Sequence, residues 1–110
     1  MNKGRSRFRN LVIDWYYDQS YGLTVKTLRC GVCGLPVQSM AVEIDGTRFL
    51  TCSDKHLVGT EIDPDEAQVM RETASEIRIV TVSEYNNLVY DIVNAFKNDF
   101  DFSQASETTL

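Results

Sequence analysis

The chain has 110 residues, 43% of them hydrophobic and 25% charged, and a formal net charge of −5, enough apolar material for one modest core. No apolar run approaches the roughly 18 residues of a membrane span, and the basic opening residues lack the apolar centre of a secretory signal, so a cytoplasmic protein is expected. Charge is unevenly divided: residues 1–60 carry eight Lys and Arg against five Asp and Glu, and residues 61–110 carry three against eleven. A net-acidic chain lacks the usual electrostatic footprint of a nucleic-acid binder.

In chain order, residues 1–10 read as a basic, flexible terminus in which Lys3, Arg5, Arg7 and Arg9 stand ready to meet phosphates or an acidic protein. Phe8, Leu11, Val12 and Trp15 fit the i, i+3, i+4, i+7 template, and Leu11, Ile13, Trp15 and Tyr17 fit strand alternation about as well. A helix ending before Gly22 is the preferred expectation. Trp15, Tyr16, Tyr17 and Tyr21 form the richest aromatic cluster, read as core cover or, more sharply, as a partner-binding patch. A β-prone run from Leu23 to Leu28 leads into Cys30-x2-Cys33. Ala41 to Ile44 and Arg48 to Thr51 are short β-compatible runs joined by Asp45-Gly46, a strong hairpin signal. Cys52-x3-His56 is spaced as one helical turn, with Ser53 or Asp54 as cap and Leu57 and Val58 continuing to a stop at Gly59.

Asp63-Pro64-Asp65-Glu66 is a compact helix start, with Asp63 as cap and Pro64 in the first turn. Ala67, Met70, Ala74 and Ile77 follow on one face. Ile77 to Val82 is dense in β-branched residues and reads as a strand. Ser83 and Glu84 open a final helix whose apolar stripe is Leu88, Val89, Ile92, Val93 and Phe96. Residues 101–110 read as a disordered polar tail, leaving a single domain over residues 11–100.

The three cysteines and the only histidine fall into two short pairs, Cys30 with Cys33 and Cys52 with His56. Thiolate and neutral imidazole suit a borderline-soft d10 cation, and Cys3His is among the sets that close a tetrahedral structural site. One structural Zn2+ is therefore expected. An odd cysteine count argues against a disulfide framework, and Cys30 and Cys33 sit too close for an ordinary bridge. A redox Cys-x-x-Cys requires a β-α-β setting that the flanks do not supply. An iron cluster remains an alternative to which zinc is preferred.

The order of knuckle, hairpin and helix start predicts an α+β fold: a small zinc-stabilised, treble-clef-like finger with flanking helices. The run Cys30-Gly-Val-Cys33-Gly-Leu-Pro-Val37, then Ala41-Val-Glu-Ile-Asp-Gly46, then Phe49-Leu-Thr-Cys52-Ser53 resembles the TRASH and YHS zinc domains. In those domains a Cys usually stands where this chain has His56. The resemblance covers about a quarter of the chain and implies metal handling or attachment to a larger metalloenzyme or transporter.

Catalysis is not expected. The single histidine is committed as a ligand, which removes the commonest general base, and four protein ligands leave no coordination place for water. The His-x-Glu of zinc deaminases is absent from the sequence, and Asp63 and Asp65 are explained by helix capping. The expected function is a protein-interaction module, an accessory or regulatory subunit of a larger complex. The alternative is nucleic-acid binding through Lys3, Arg5, Arg7, Arg9, Lys26, Arg29, Arg48 and Lys55, and a further alternative is a metal-handling protein.

Overall fold

The computed structural model describes residues 2–73 and 77–101, with the backbone alone at positions 64, 67, 70 and 71. It is an α+β fold of two antiparallel sheets and two helices.

The first sheet runs in the order β1 (Asn2–Phe8), β2 (Leu11–Asp18), β3 (Gly22–Cys30). Neither the flexible terminus expected over residues 1–10 nor the helix expected to end before Gly22 is formed: both belong to a hairpin in which Asn2 pairs with Tyr17 and Phe8 with Leu11. The strand alternation wins because Leu11, Ile13 and Trp15 are buried while Val12, Asp14 and Tyr16 are only half-buried. β-branched and aromatic side chains suit such a pleated, one-sided surface. The turn is Arg9-Asn10, both residues at positive φ (50° and 62°), the backbone that two-residue hairpin turns require. A bulge between Asp14 and Trp15 inserts Lys26 into β3, so that Thr27 faces Asp14 and Val25 faces Trp15.

The second sheet has the order β6-β5-β4-β7, with β4 at Val37–Ile44, β5 at Thr47–Cys52, β6 at Leu57–Val58 and β7 at Ile77–Ile79. The expected hairpin is present, with Ile44 opposite Thr47 and Asp45-Gly46 at φ 49° and 84°. The strand expected over Ile77 to Val82 is formed but stops at Ile79. The short helix expected from Cys52 to Val58 is replaced by a turn and by β6, whose Leu57 and Val58 pair with Thr51 and Leu50. Pairing two buried apolar residues against a sheet gains more than one isolated helical turn, whose nucleation is costly. Among the described residues the hairpin of the expected finger is thus present, and no helix starts at Cys52.

Helix α1 (Pro64–Thr73) starts as expected, the Asp63 carboxylate accepting the Asp65 N–H at 3.0 Å. The face expected from Ala67, Met70 and Ala74 lies outside the described side chains, and Ile77 belongs to β7. Helix α2 (Val82–Asp99) is capped two residues before the expected Ser83: Thr81 Oγ1 accepts the Glu84 N–H at 3.2 Å and donates to the Glu84 carboxylate at 3.2 Å, a reciprocal capping arrangement. The polar tail falls, beyond Asp101, outside the described residues. Among those described, no helix is long and apolar enough to cross a membrane.

Helix α2 joins the two sheets. Its Ile92 and Phe96 are buried, with Leu88 and Val89 packed beside them, in one core that takes Leu11, Ile13 and Trp15 from the first sheet and Ala41, Leu50 and Val58 from the second. The Phe96 ring meets Phe8 edge-on at 5.8 Å between centroids and Phe100 at 5.6 Å, and Phe100 meets Trp15 at 4.9 Å. A smaller cluster of Ile44, Phe49 and Leu57, covered by Ile62, lies on the other face of the second sheet.

Candidate metal centre

The two ligand pairs sit in two backbone turns built alike. In the first, Cys30 donates its N–H to Leu35 O at 2.8 Å, Gly34 donates to Cys30 O at 2.9 Å, and Val32 N–H points at Cys30 Sγ at 3.3 Å. In the second, Cys52 donates to His56 O at 3.1 Å, Lys55 donates to Cys52 O at 2.9 Å, and His56 N–H points at Cys52 Sγ at 3.3 Å. Each turn closes through a residue in the left-handed region, Gly34 at φ 77° and Lys55 at φ 66°.

The ends of β3 and β5 bring the turns together. Val37 pairs with Cys52, and Ser53 donates its N–H to Pro36 O at 3.2 Å. The three Sγ atoms and a ring nitrogen of His56 then lie within 4.8 Å of one another, a group that could hold a metal ion. Cys33 Sγ is 3.6 Å from Cys52 Sγ, and His56 Nδ1 is 3.4 Å from Cys52 Sγ and 3.8 Å from Cys30 Sγ. Nδ1 is therefore the nitrogen turned to the sulfurs. Cys30 and Cys52 are buried, His56 is half-buried and Cys33 is exposed. None of the three is in a disulfide. Burial opposes ionisation at Cys33, yet the backbone at Leu35 and the side chains of His56, Cys52 and Cys30 outweigh it and hold the thiol below its ordinary value. Burial pushes Cys52 up to about 11. An ion entering this group displaces protons, since thiolates and neutral imidazole are the ligating forms.

The N-terminal hairpin clamps the first turn and the loop that follows β6. Asn10 O accepts the Gly31 N–H at 2.8 Å, Arg7 Nη2 donates to Gly31 O at 2.9 Å, and Arg9 O accepts the Thr60 N–H at 3.0 Å. The Asn10 side-chain amide also donates to Ile62 O.

The other expected site residues scatter. Trp15 is 4% exposed and belongs to the core, Tyr17 packs against that core, Tyr16 lies on the opposite side of β2, and Tyr21 is 86% exposed in the turn before β3. The four aromatics form no single patch, because alternation along a strand sends neighbours to opposite faces. Of the eight basic residues, Lys3, Arg5, Arg7 and Arg29 share the outer face of the first sheet, with Lys26 at its bulge. Arg9 lies over the Phe8 ring and 3.8 Å from Glu61, Arg48 pairs with Glu84 at 3.3 Å, and Lys55 sits in the Cys52–His56 turn.

A surface unforeseen from the sequence lies on the second sheet. The face opposite α2 begins with the covered cluster of Ile44, Phe49 and Leu57 and continues to Met40, Ile77 and Ile79, which are 45%, 49% and 62% exposed. Met40, Val42 and Ile79 line a hollow of about 330 Å³ with Gln38, Thr51 and Lys55. The alternating Met40, Val42 and Ile44 of β4 carried the signal for a second apolar face.

The fold and this group define a small α+β domain with a Cys3His cluster suited to a metal ion. Compared with known proteins, the chain matches no family model, no curated protein and no solved structure.

Proposed function

We propose that the protein is a non-catalytic zinc protein whose single Zn2+ fixes a rigid domain that docks on a larger protein as an accessory or regulatory subunit. The observation that carries this reading is the closed shell of four protein ligand atoms within 4.8 Å of one another. Zinc bound at about 2.3 Å by thiolate and about 2.0 Å by imidazole in a tetrahedron requires sulfurs roughly 3.8 Å apart and sulfur–nitrogen separations of roughly 3.5 Å. Three of the six separations, 3.6, 3.4 and 3.8 Å, come close to that requirement. A shell closed by protein leaves no place for substrate or water, so the surfaces carry the function. Reduced thiols are kept so in the cytosol, the compartment proposed for the protein.

The docking surface in this reading is the uncovered face of the second sheet. β7 is an edge strand among the described residues, and an apolar edge beside a hollow invites a partner's strand or side chains. The metal bears directly on it: Cys52 ends β5, and Lys55 of the same turn lines the hollow. Elemental analysis of purified protein is expected to give one zinc per chain, lost in Cys52→Ser; a different metal, or none, overturns the zinc assignment. Met40→Glu combined with Ile79→Lys is expected to keep the zinc and lower recovery of specific protein partners at least tenfold. Unchanged recovery overturns the docking surface alone.

A further inference from the structure

The solvent face of the first sheet carries a row of cations. Strand alternation puts Lys3, Arg5 and Arg7 on one side of β1, about 6.8 Å apart, and Asn2, Gly4, Ser6 and Phe8 on the other. Pairing sets Lys3 against Tyr16, Arg5 against Asp14 and Arg7 against Val12, and then Val12 against Arg29 and Tyr16 against Thr24. Lys3, Arg5, Arg7, Lys26 and Arg29 are exposed. Four cations, Lys3, Arg5, Arg7 and Arg29, thus share this face with Asp18 at the end of β2 and surround one central carboxylate, in a chain of net charge −5, while Lys26 stands at the bulged edge, lining a hollow with Val89 and Lys97 of α2.

The carboxylate organises the cations. Asp14 accepts Arg5 Nε at 2.6 Å and Thr27 Oγ1 at 2.7 Å, and Arg29 Nε lies 3.8 Å away. The hydrogen bond from Arg5, helped by Thr27, holds Asp14 below the usual carboxylate range, so it stays ionised at neutral pH. The Arg5 and Arg29 side chains remain 64% and 48% exposed, leaving guanidinium N–H groups turned to solvent. Arg7 is tied to the Gly31 carbonyl and so to the Cys30–Cys33 turn. Tyr16, half-buried, is the aromatic side chain among them.

A row of cations at the pitch of an extended strand matches the repeat of neighbouring phosphates on an extended single strand. An aromatic ring in the same face supplies a stacking platform for a base. An acidic protein surface offers complementary charge but no base for that ring. We infer that the outer face of the first sheet binds single-stranded nucleic acid, with Lys3, Arg5, Arg7 and Arg29 on phosphates and Tyr16 stacked on a base. This face is distinct from the exposed side of the second sheet, so it adds a second ligand to the docking reading and does not depend on it.

The test is fluorescence anisotropy of labelled 20-nucleotide oligo(dT) and oligo(U) with the zinc-loaded full chain across a salt series. Affinity is expected to fall steeply with salt, with a log–log slope of about −2 to −3 for four phosphate contacts on a single strand. Arg5→Glu with Arg7→Glu is expected to weaken binding at least tenfold. Lys3→Glu, which spares the Asp14 network, is expected to weaken it at least threefold with zinc content and circular dichroism unchanged. Tyr16→Ala is expected to weaken binding about threefold or more without altering the salt slope, and Lys97→Glu on α2 to leave it unchanged. No binding at low salt, or binding indifferent to the sheet variants, overturns the proposal. Equal binding of duplex or of polyglutamate, with Tyr16→Ala silent, overturns the single-strand assignment in favour of a general polyanion surface.

Discussion

Gly4 is a glycine for reasons of space. It pairs directly with Trp15 across the hairpin, and a Cβ built there would fall 2.3 Å from Trp15 Cζ2 and 2.8 Å from Cε2. The indole lies across the bare backbone and donates its N–H to Ser6 Oγ, two residues along the same face, at 2.9 Å. A large ring over a strand glycine is a known device for pinning register, and here it couples β1 to the core, since Trp15 also meets Phe100. Gly4→Ala must therefore push the ring off its seat, an overpacking cost of about 1–3 kcal/mol. Trp15 is the only tryptophan, so urea denaturation followed by its emission reads both stability and seating. The expected result is a lower midpoint and red-shifted native emission; an unchanged midpoint would refute the close contact.

At the scale of elements, α2 depends on its landing place more than on its own propensity. Gly59, at φ 74°, lies so near the helix that an added Cβ would come within 2.5 Å of Ile92 Cδ1, and Phe96 is the ring shared between the helix and the N-terminal hairpin. Phe96→Ala is expected to cost about 3–5 kcal/mol, the range for a buried phenylalanine. Val82→Ala, exposed at 69% in the first turn, is expected to stay within about 0.5 kcal/mol. Denaturation midpoints of the two variants check the contrast, and similar losses would mean that α2 is held by its ends and not by Phe96. The stripe of this helix was legible because its apolar residues recur at helical spacing, and the Asp45-Gly46 hairpin because its turn chemistry is local. The Cys3His group was legible for the same reason: each pair is closed by four or five consecutive residues. The N-terminal hairpin was not, because the half-buried inner side of β1 is Asn2, Gly4 and Ser6 with Phe8 alone apolar, leaving hydrophobic periodicity almost nothing to detect. The alternation of cations in Lys3-Gly-Arg5-Ser-Arg7 held the information instead. The turn after Cys52 was ambiguous in principle, since a four-residue step fits a helical turn as well as a loop. Pairing of Leu57 and Val58 with β5, invisible locally, decides it.

For the whole molecule, the Cys3His group closes a ring of contacts that no single element completes. β3 ends in Cys30 and β5 in Cys52; the N-terminal turn holds Gly31 on one side and Thr60 on the other; α2 spans both sheets from the far side of the core. Removing a bound ion would leave the sulfurs of Cys30, Cys33 and Cys52 and the half-buried His56 ring gathered with nothing to bind them together, and the two turns would lose that link. Structural zinc contributes about 10–16 kcal/mol to folding in zinc-finger peptides at neutral pH, comparable with or larger than the total stability of about 5–15 kcal/mol of a small domain. Chelation under reducing conditions is therefore expected to unfold the chain at 25 °C, with loss of the Trp15 native emission and of sheet ellipticity, both restored by one equivalent of zinc. Acid should act in the same direction, because protons compete with the ion for the thiolates and His56, so metal is retained at neutral pH and released as pH falls. Metal release and unfolding should then coincide in a titration that follows zinc with a chromogenic chelator and Trp15 by fluorescence. Were zinc to leave while the emission stayed native, the core assembled by α2 would suffice alone, and the Cys3His group would have to be read as a site for exchangeable metal carried by an already stable domain.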